Sequence, residues 1–209
     1  MDKKKAKKIL KGVWYFIWED DSIWSWLVNV ILAFILIKFI VYPGLGLLLS
    51  TSHPIVAVVS ESMEHKANFD EWWNKNGGWY LEKGIKKEDF LQFSLKNGFN
   101  KGDIMVLVGK TPRDVEVGEV IVFMSHRERP RADPIIHRVV AKSENNSRII
   151  FETKGDNNNN QINTCNGDSC TDETDIWEKQ VIGKAVLKIP FLGYIKIWFV
   201  GILGFLGIK

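Results

Sequence analysis

Two long apolar stretches bracket a middle in which short hydrophobic runs alternate with polar breaks. From about residue 23 to residue 49 the chain is dominated by Ile, Leu, Val, Phe and Trp. That exceeds the ~20 residues a bilayer-spanning helix needs. A cleaved leader would have a shorter apolar part ending in a small-residue site, so this segment is expected to be a retained anchor. Lys38 falls within it, at a depth where a charge costs about 2.5–3.5 kcal/mol. Either it faces a partner helix or polar cavity, or the span closes near Tyr42-Pro43-Gly44 and Leu45 to Leu49 lies in the interface. A second apolar stretch, 189 to 208, is interrupted by Lys196 and several Gly. It reads as a second spanning helix or as an interfacial one.

Between these stretches the runs Pro54–Ser60, Ile104–Val108, Glu119–Phe123, Ile135–Val140, Arg148–Thr153 and Val181–Leu187 are β-branched and bounded by Gly, Asp, Asn or Pro. They predict strands of an all-β domain. The stretch from Phe69 to Phe99, rich in Trp, Lys and Glu, predicts one or two helices set between two strands. The expected fold is therefore mainly β. A basic tail (1–22) leads to a transmembrane anchor (23–50), then a β-rich domain (51–188) with a helical insertion (64–100), then a C-terminal transmembrane or interfacial helix (189–209).

The chain's 209 residues hold one domain of ordinary size plus membrane segments. A net charge of +3, with the Lys gathered mainly at the N-terminus, argues against a nucleic-acid face. The same Lys cluster places the N-terminus in the cytoplasm by the positive-inside rule, so the chain emerges outside near Ser50. Nine Trp suit a domain resting against a bilayer, and the insertion is expected to line a substrate groove or meet lipid through Trp72, Trp73 and Trp79, against the alternative of plain structural packing. Cys165 and Cys170 lack the nearby ligands of a zinc site. They read as a small disulfide loop in an oxidising compartment, against the alternative of free thiols. Asn145-Asn146-Ser147 is a glycosylation sequon. No metal-ligand cluster or cofactor motif is present.

Three local features carry chemistry: Ser60-Glu61-Ser62-Met63 after the first strand, His137 within Ile-Ile-His-Arg-Val-Val, and Lys154-Gly155-Asp156-Asn157-Asn158 after the strand ending at Thr153. Singly, each has an ordinary explanation as a strand end, a solvated strand residue or a turn. Together they supply acyl transfer. A Ser hydroxyl needs a base to take its proton, and His titrates near neutrality. An acid must hold the imidazole tautomer, and the oxyanion needs donors such as the Ser62 N–H and a neighbouring hydroxyl. His126, His53, Lys66 and Lys101 are weaker candidates for the base.

In this order the features resemble a type I signal peptidase of the archaeal and endoplasmic-reticulum kind. The family pattern Ser-x-Ser-Met-x-Pro after an apolar strand is met by Val58-Val59-Ser60-Glu61-Ser62-Met63-Glu64, with His65 where the Pro stands. Its His-Arg-Val is matched by His137-Arg138-Val139, and its Gly-Asp-Asn-Asn by Gly155-Asp156-Asn157-Asn158. Val181-Ile182-Gly183-Lys184-Ala185 is similar to its final strand, and Ile189-Pro190-Phe191-Leu192-Gly193 to the archaeal run into a C-terminal apolar segment. The resemblance covers nearly everything from the anchor onward. It implies a signal-peptidase-like β domain with Ser62 as nucleophile, His137 as base where bacterial members carry Lys, and Ser60 as an oxyanion donor. For the acid it implies Asp175, two residues before Trp177 as in an Asp-x-Trp of archaeal relatives, with Asp156 close behind and Asp172 third. His65, the 64–100 insertion and the insertion carrying the Cys pair depart from the pattern.

The mechanism this implies is serine-type removal of signal peptides on the extracytoplasmic face of the membrane, without cofactor or metal. The substrate would add as a strand beside Val56 to Val59, with Val58 and Val59 in contact, and would present small residues at the first and third positions before the cut. The implied partners are signal peptides of preproteins, the lipid bilayer, and the secretion translocon or accessory subunits. Two alternatives stay open at this point: a doubly anchored, non-enzymatic binding domain, and a related protease acting on other membrane precursors.

Overall fold

A computed structural model describes residues 3–145 and 148–205. The chain forms two compact units that part between Leu48 and Leu49. Asn146 and Ser147 of the sequon lie outside the described residues.

The first unit is helical. Helix α1 (Lys3–Trp18) occupies the stretch expected as a basic tail. Helix α2 (Ile23–Leu36) starts where the Ser22 side chain accepts from the Ser25 N–H, an N-cap. It continues through a π-helical turn (Ile37–Val41) into α3 (Tyr42–Leu48). Together, Ile23–Leu48 form one helical run of 26 residues, apolar enough to cross a membrane. Lys38 lies in the π turn, its ammonium 5.6 Å from the Phe34 ring and 5.5 Å from the Phe39 ring. The C-terminal apolar stretch contains a described helix, α6 (Tyr194–Phe205), of 12 residues, roughly 18 Å long at 1.5 Å per residue.

The second unit is built on a seven-stranded sheet whose neighbours all pair antiparallel, in the order β1-β2-β9-β3-β4-β5-β8. These are β1 (Ile55–Ala57), β2 (Ile104–Val108), β3 (Val120–Phe123), β4 (Ile135–Asn145), β5 (Arg148–Lys154), β8 (Ile176–Trp177) and β9 (Val181–Ile189). Strand β3 is buried on both faces because successive side chains point to opposite sides. Val120 and Val122 join Val58, Met63, Met105 and Leu107 in one core. Ile121 and Phe123 join Val139, Phe151 and Ile176 in the other. The six expected strands all form, although β1 is shorter than the run from Pro54 to Ser60.

Two regions depart from expectation. The insertion forms α4 (Phe69–Glu82), N-capped by Asn68, and α5 (Lys87–Phe90). Its Trp72 and Trp73 are buried with Tyr80, Ile85 and Phe90 against Val140 of β4. The expectation that these two Trp meet lipid or line a groove is thus corrected: their rings pack on one another and on the sheet, burying the large apolar area that aromatic side chains carry. The second departure is a separate hairpin, β6 (Asn163–Asn166) with β7 (Ser169–Asp172). Cys165 and Cys170 face each other across it and are disulfide-bonded.

Closing so short a loop limits the unfolded chain by about 2 kcal/mol. Replacing both cysteines by Ser is expected to lower unfolding stability by about that amount in a denaturant titration. Alkylation of the folded wild type should require prior reduction.

Candidate active site

Ser62 sits in the turn that follows β1, and its position is fixed through the backbone. The Ser62 carbonyl accepts from the Asn157 N–H at 2.8 Å, and the Asn157 side chain donates to the Glu61 carbonyl at 3.0 Å. The next side chain, Met63, is buried in the core, and its carbonyl accepts from the Phe99 N–H at 3.0 Å. The turn after β5 therefore grips the Ser62 loop directly. Gly155 makes this approach possible: a Cβ there would stand 2.8 Å from both His137 Nε2 and the Ser62 carbonyl oxygen.

His137 is a buried residue of β4, opposite Ile121 of β3. Its Nε2 lies 2.8 Å from Ser62 Oγ, and Ser60 Oγ lies 3.1 Å from Ser62 Oγ. Its Nδ1 bonds the carboxylate of Glu173. Glu173 is fully buried and held at both oxygens, by the Thr153 hydroxyl at 3.0 Å and the Ile162 N–H at 2.7 Å. Its backbone pairs with Ile162 and Thr153 at 2.8 and 2.9 Å, so the base of the β6–β7 hairpin delivers it beside β5. A carboxylate on Nδ1 requires the proton on that nitrogen and leaves Nε2 to accept from Ser62. The arrangement can deprotonate the hydroxyl and stabilise the imidazolium that results.

The acids expected from sequence lie elsewhere. Asp175 is half-exposed, pairs with Arg127 and accepts from Trp177 Nε1 at 3.2 Å. Asp172 accepts from the Thr174 N–H and hydroxyl at 2.9 and 2.7 Å, closing its own turn. Asp156 is fully buried and bound by Arg138 Nε at 2.9 Å, Arg138 Nη2 at 2.7 Å, Tyr80 Oη at 2.9 Å and His65 Nε2 at 3.0 Å. Burial acts to raise its pKa, but the Arg138 guanidinium and the His65 hydrogen bond outweigh this and hold the carboxyl well below the usual range. The carboxylate bonded to His137 is Glu173. The pattern of residue types points only to Asp at that place, because it does not include the pairing of 163–166 with 169–172 that delivers Glu173. The signal for that pairing lay in Gly167-Asp168 between the two Cys: as the central pair of a two-residue turn, with Gly first at positive φ, they pair 163–166 with 169–172 and return Glu173 to the sheet.

Val58 and Val59 differ in what they offer. The Val58 N–H and carbonyl are taken by the Asp103 carbonyl and the Gly102 N–H, each at 2.9 Å, and its side chain is core. Strand β1 is an edge of the sheet, and alternation turns the peptide groups of Ala57 and Val59 outward. Beside them is a groove of about 240 Å³ lined by residues that include Val58, Ser60, Ser62, Ile135, Ile136 and His137.

Comparison with known proteins returns relatives with one description. The chain is 28% identical over 168 residues to the signal peptidase complex catalytic subunit SEC11 of Fusarium vanettenii, covering 76% of this chain and 71% of that protein. It is 34% identical to the same subunit of Colletotrichum graminicola, covering 51% and 59%, and 28% identical to that of Zygosaccharomyces rouxii, covering 57% and 72%. Against the Colletotrichum graminicola relative the chain thus spans under two thirds of that protein's length. All three are fungal, so they bear on the endoplasmic-reticulum side of the resemblance and not on the archaeal side. No protein-family model matches the chain.

The contrast between the two expected acids is testable. Asp156→Asn leaves a buried guanidinium without its countercharge and is expected to cost about 3–5 kcal/mol of stability. Asp175→Asn, at a half-exposed pair, should cost no more than about 1 kcal/mol. Because the Asp156 carboxyl is depressed, its contribution is complete above the unfolded value of about 3.9 and is lost as pH falls below it. Unfolding curves of wild type from neutral to acid pH should show this loss, and those of Asp156→Asn should lack it.

Proposed function

We propose, from the premise that this chain is a relative of the type I signal peptidases of the endoplasmic-reticulum kind, that it is a membrane-bound serine endopeptidase removing signal peptides from exported preproteins. The observation that carries the reading is the line Ser62–His137–Glu173, with Ser60 beside the nucleophile and a groove along an open strand edge.

The precursor strand adds to the edge of β1, bonding the outward peptide groups of Ala57 and Val59. The small groove favours small side chains before the cut. Ser62 Oγ attacks the scissile carbonyl carbon while its proton passes to His137 Nε2. Glu173 orients the ring through Nδ1 and stabilises the imidazolium, the part first sought in Asp175 or Asp156. The Ser62 N–H and the Ser60 hydroxyl receive the oxyanion. On collapse the C–N bond breaks and His137 returns the proton to the leaving amine. Water, activated by the same ring, then releases the acyl group from Ser62.

The run Ile23–Leu48 serves as the anchor, with the Lys-rich end cytoplasmic and the β unit outside, where the Cys165–Cys170 bond is maintained. Helix α6, described over 12 residues, belongs to the C-terminal apolar stretch that either crosses the bilayer or lies in its interface. Accessory subunits are expected partners, since the relatives are named as subunits of a complex.

The test is cleavage of a preprotein with a small-x-small site by reconstituted variants whose folding is checked in parallel. Ser62→Ala and His137→Ala should each lose about 10⁶-fold in kcat, and Glu173→Gln about 10⁴-fold. Asp175→Ala should stay close to wild type. A folded Ser62→Ala enzyme that cuts like wild type rules out the nucleophile, and an inactive Asp175→Ala beside an active Glu173→Gln rules out the acid.

A further inference from the structure

The mechanism makes no use of helix α1, yet its side chains are segregated. At 100° per residue, Ala6, Ile9, Leu10, Val13, Phe16 and Ile17 fall on one face of Lys3–Trp18, with Lys5 at its edge, and Lys3, Lys4, Lys7, Lys8 and Lys11 on the opposite one together with Trp14 and Trp18. Among the described residues nothing covers the middle of the apolar face: Ile9, Leu10 and Val13 are 60, 69 and 50% exposed, while Ala6, Phe16 and Ile17 are partly covered. The Trp14 and Trp18 rings lie tilted with centroids 5.6 Å apart near the C-terminal end, where the helix leads to α2. Amphipathic aromatic rings of this kind favour the headgroup level.

A second observation points the same way. The last carbonyls of a helix have no partner within it and ordinarily turn to water. In α1 the Tyr15 carbonyl accepts from the Glu19 and Asp20 N–H groups at 2.9 and 3.1 Å. The Phe16 carbonyl accepts from Ser25 Oγ at 2.6 Å, and the Ile17 carbonyl from Asn29 Nδ2 at 2.9 Å. Ser25 and Asn29 belong to the first two turns of α2. The elbow between the helices is thus closed by the protein's own side chains, which is what a helix end needs where water is scarce.

We infer that α1 is an interfacial helix that docks on a bilayer bearing anionic lipids. Its Ile9–Leu10–Val13 face sinks among the acyl chains, its Lys row lies against acidic headgroups, and Ser25 and Asn29 fix its angle to α2. A basic amphipathic helix binds in this way through buried apolar area plus attraction to anionic lipid. The inference rests on the proposed reading of Ile23–Leu48 as a membrane span.

The experiment is spin-label accessibility on the full chain in vesicles of phosphatidylcholine, with and without phosphatidylglycerol. Single cysteines are introduced one at a time, and the native pair is already bonded. Labels at Leu10→Cys and Val13→Cys should collide with oxygen several-fold more than with a water-soluble nickel complex, and labels at Lys7→Cys and Lys11→Cys the reverse. The contrast between faces should shrink several-fold in pure phosphatidylcholine, and equally when Lys3, Lys7, Lys8 and Lys11 are replaced by Glu. A label at Leu32→Cys reads the span separately. If Leu32→Cys is immersed while both faces of α1 meet nickel equally, the docking is overturned and the span stands. If Leu10→Cys is shielded from both reagents, a protein covers the face and the lipid assignment falls. If immersion ignores lipid charge, the anionic requirement falls. If Leu32→Cys is itself in water, the span fails and the inference fails with it.

Discussion

Arg138 and Asp156 meet in the interior of the β unit, both fully buried, and charges taken that far from water persist only when each is matched. The guanidinium gives Asp156 two bonds and spends the rest on the carbonyls of Ser94, Leu95 and Gly118. The carboxylate also receives Tyr80 and His65. Breaking such a pair strands a buried charge, whereas keeping it fixes geometry. Both members adjoin the residues proposed for catalysis. Arg138 follows His137 on β4, and Asp156 precedes the Asn157 that holds the Ser62 carbonyl.

This pairing also accounts for the long insertion. Ser94 and Leu95 accept from the guanidinium, Tyr80 donates to the carboxylate, and Phe90 lies 4.7 Å from the Arg138 guanidinium carbon. His65 stacks on Trp72 with ring centroids 3.7 Å apart while donating to Asp156. The aromatic cluster thus roofs an ionic site and keeps water from it, and the low local dielectric strengthens the bonds beneath. Lys154, buried beside Trp79 and Tyr80, shows the other side of that environment: desolvation lowers its pKa to about 8, against the opposing pull of Asp156 and Glu173.

The proposed catalytic groups arrive from three separate parts of the chain, namely the turn after β1, strand β4 and the end of hairpin β6–β7. None of these could hold its side chain alone. Ser62 is placed by hydrogen bonds from the β5 turn, His137 by the sheet, and Glu173 by Thr153 and Ile162. The disulfide across β6–β7 steadies the arm that carries Glu173, and the small Gly155 lets the arms converge.

What the sequence determined by itself was local. Periodicity marked the long apolar helix and six strands, because an apolar run or a β-branched alternation declares its element without reference to distant residues. The Ser62 turn and the His on its strand were legible for the same reason, each being a short pattern of residue types. The amphipathic order of α1 is equally local, set by the spacing of its apolar residues among the Lys. Which carboxylate reaches His137 was decided only in three dimensions. Asp156, Asp172, Glu173 and Asp175 stand within a span of 20 residues in sequence, and their order along the chain says nothing of which way the hairpin returns. The tertiary structure also turned exposed-looking Trp into core and the expected acid Asp156 into the partner of Arg138, since a buried guanidinium must find a carboxylate and takes the one the fold brings to it.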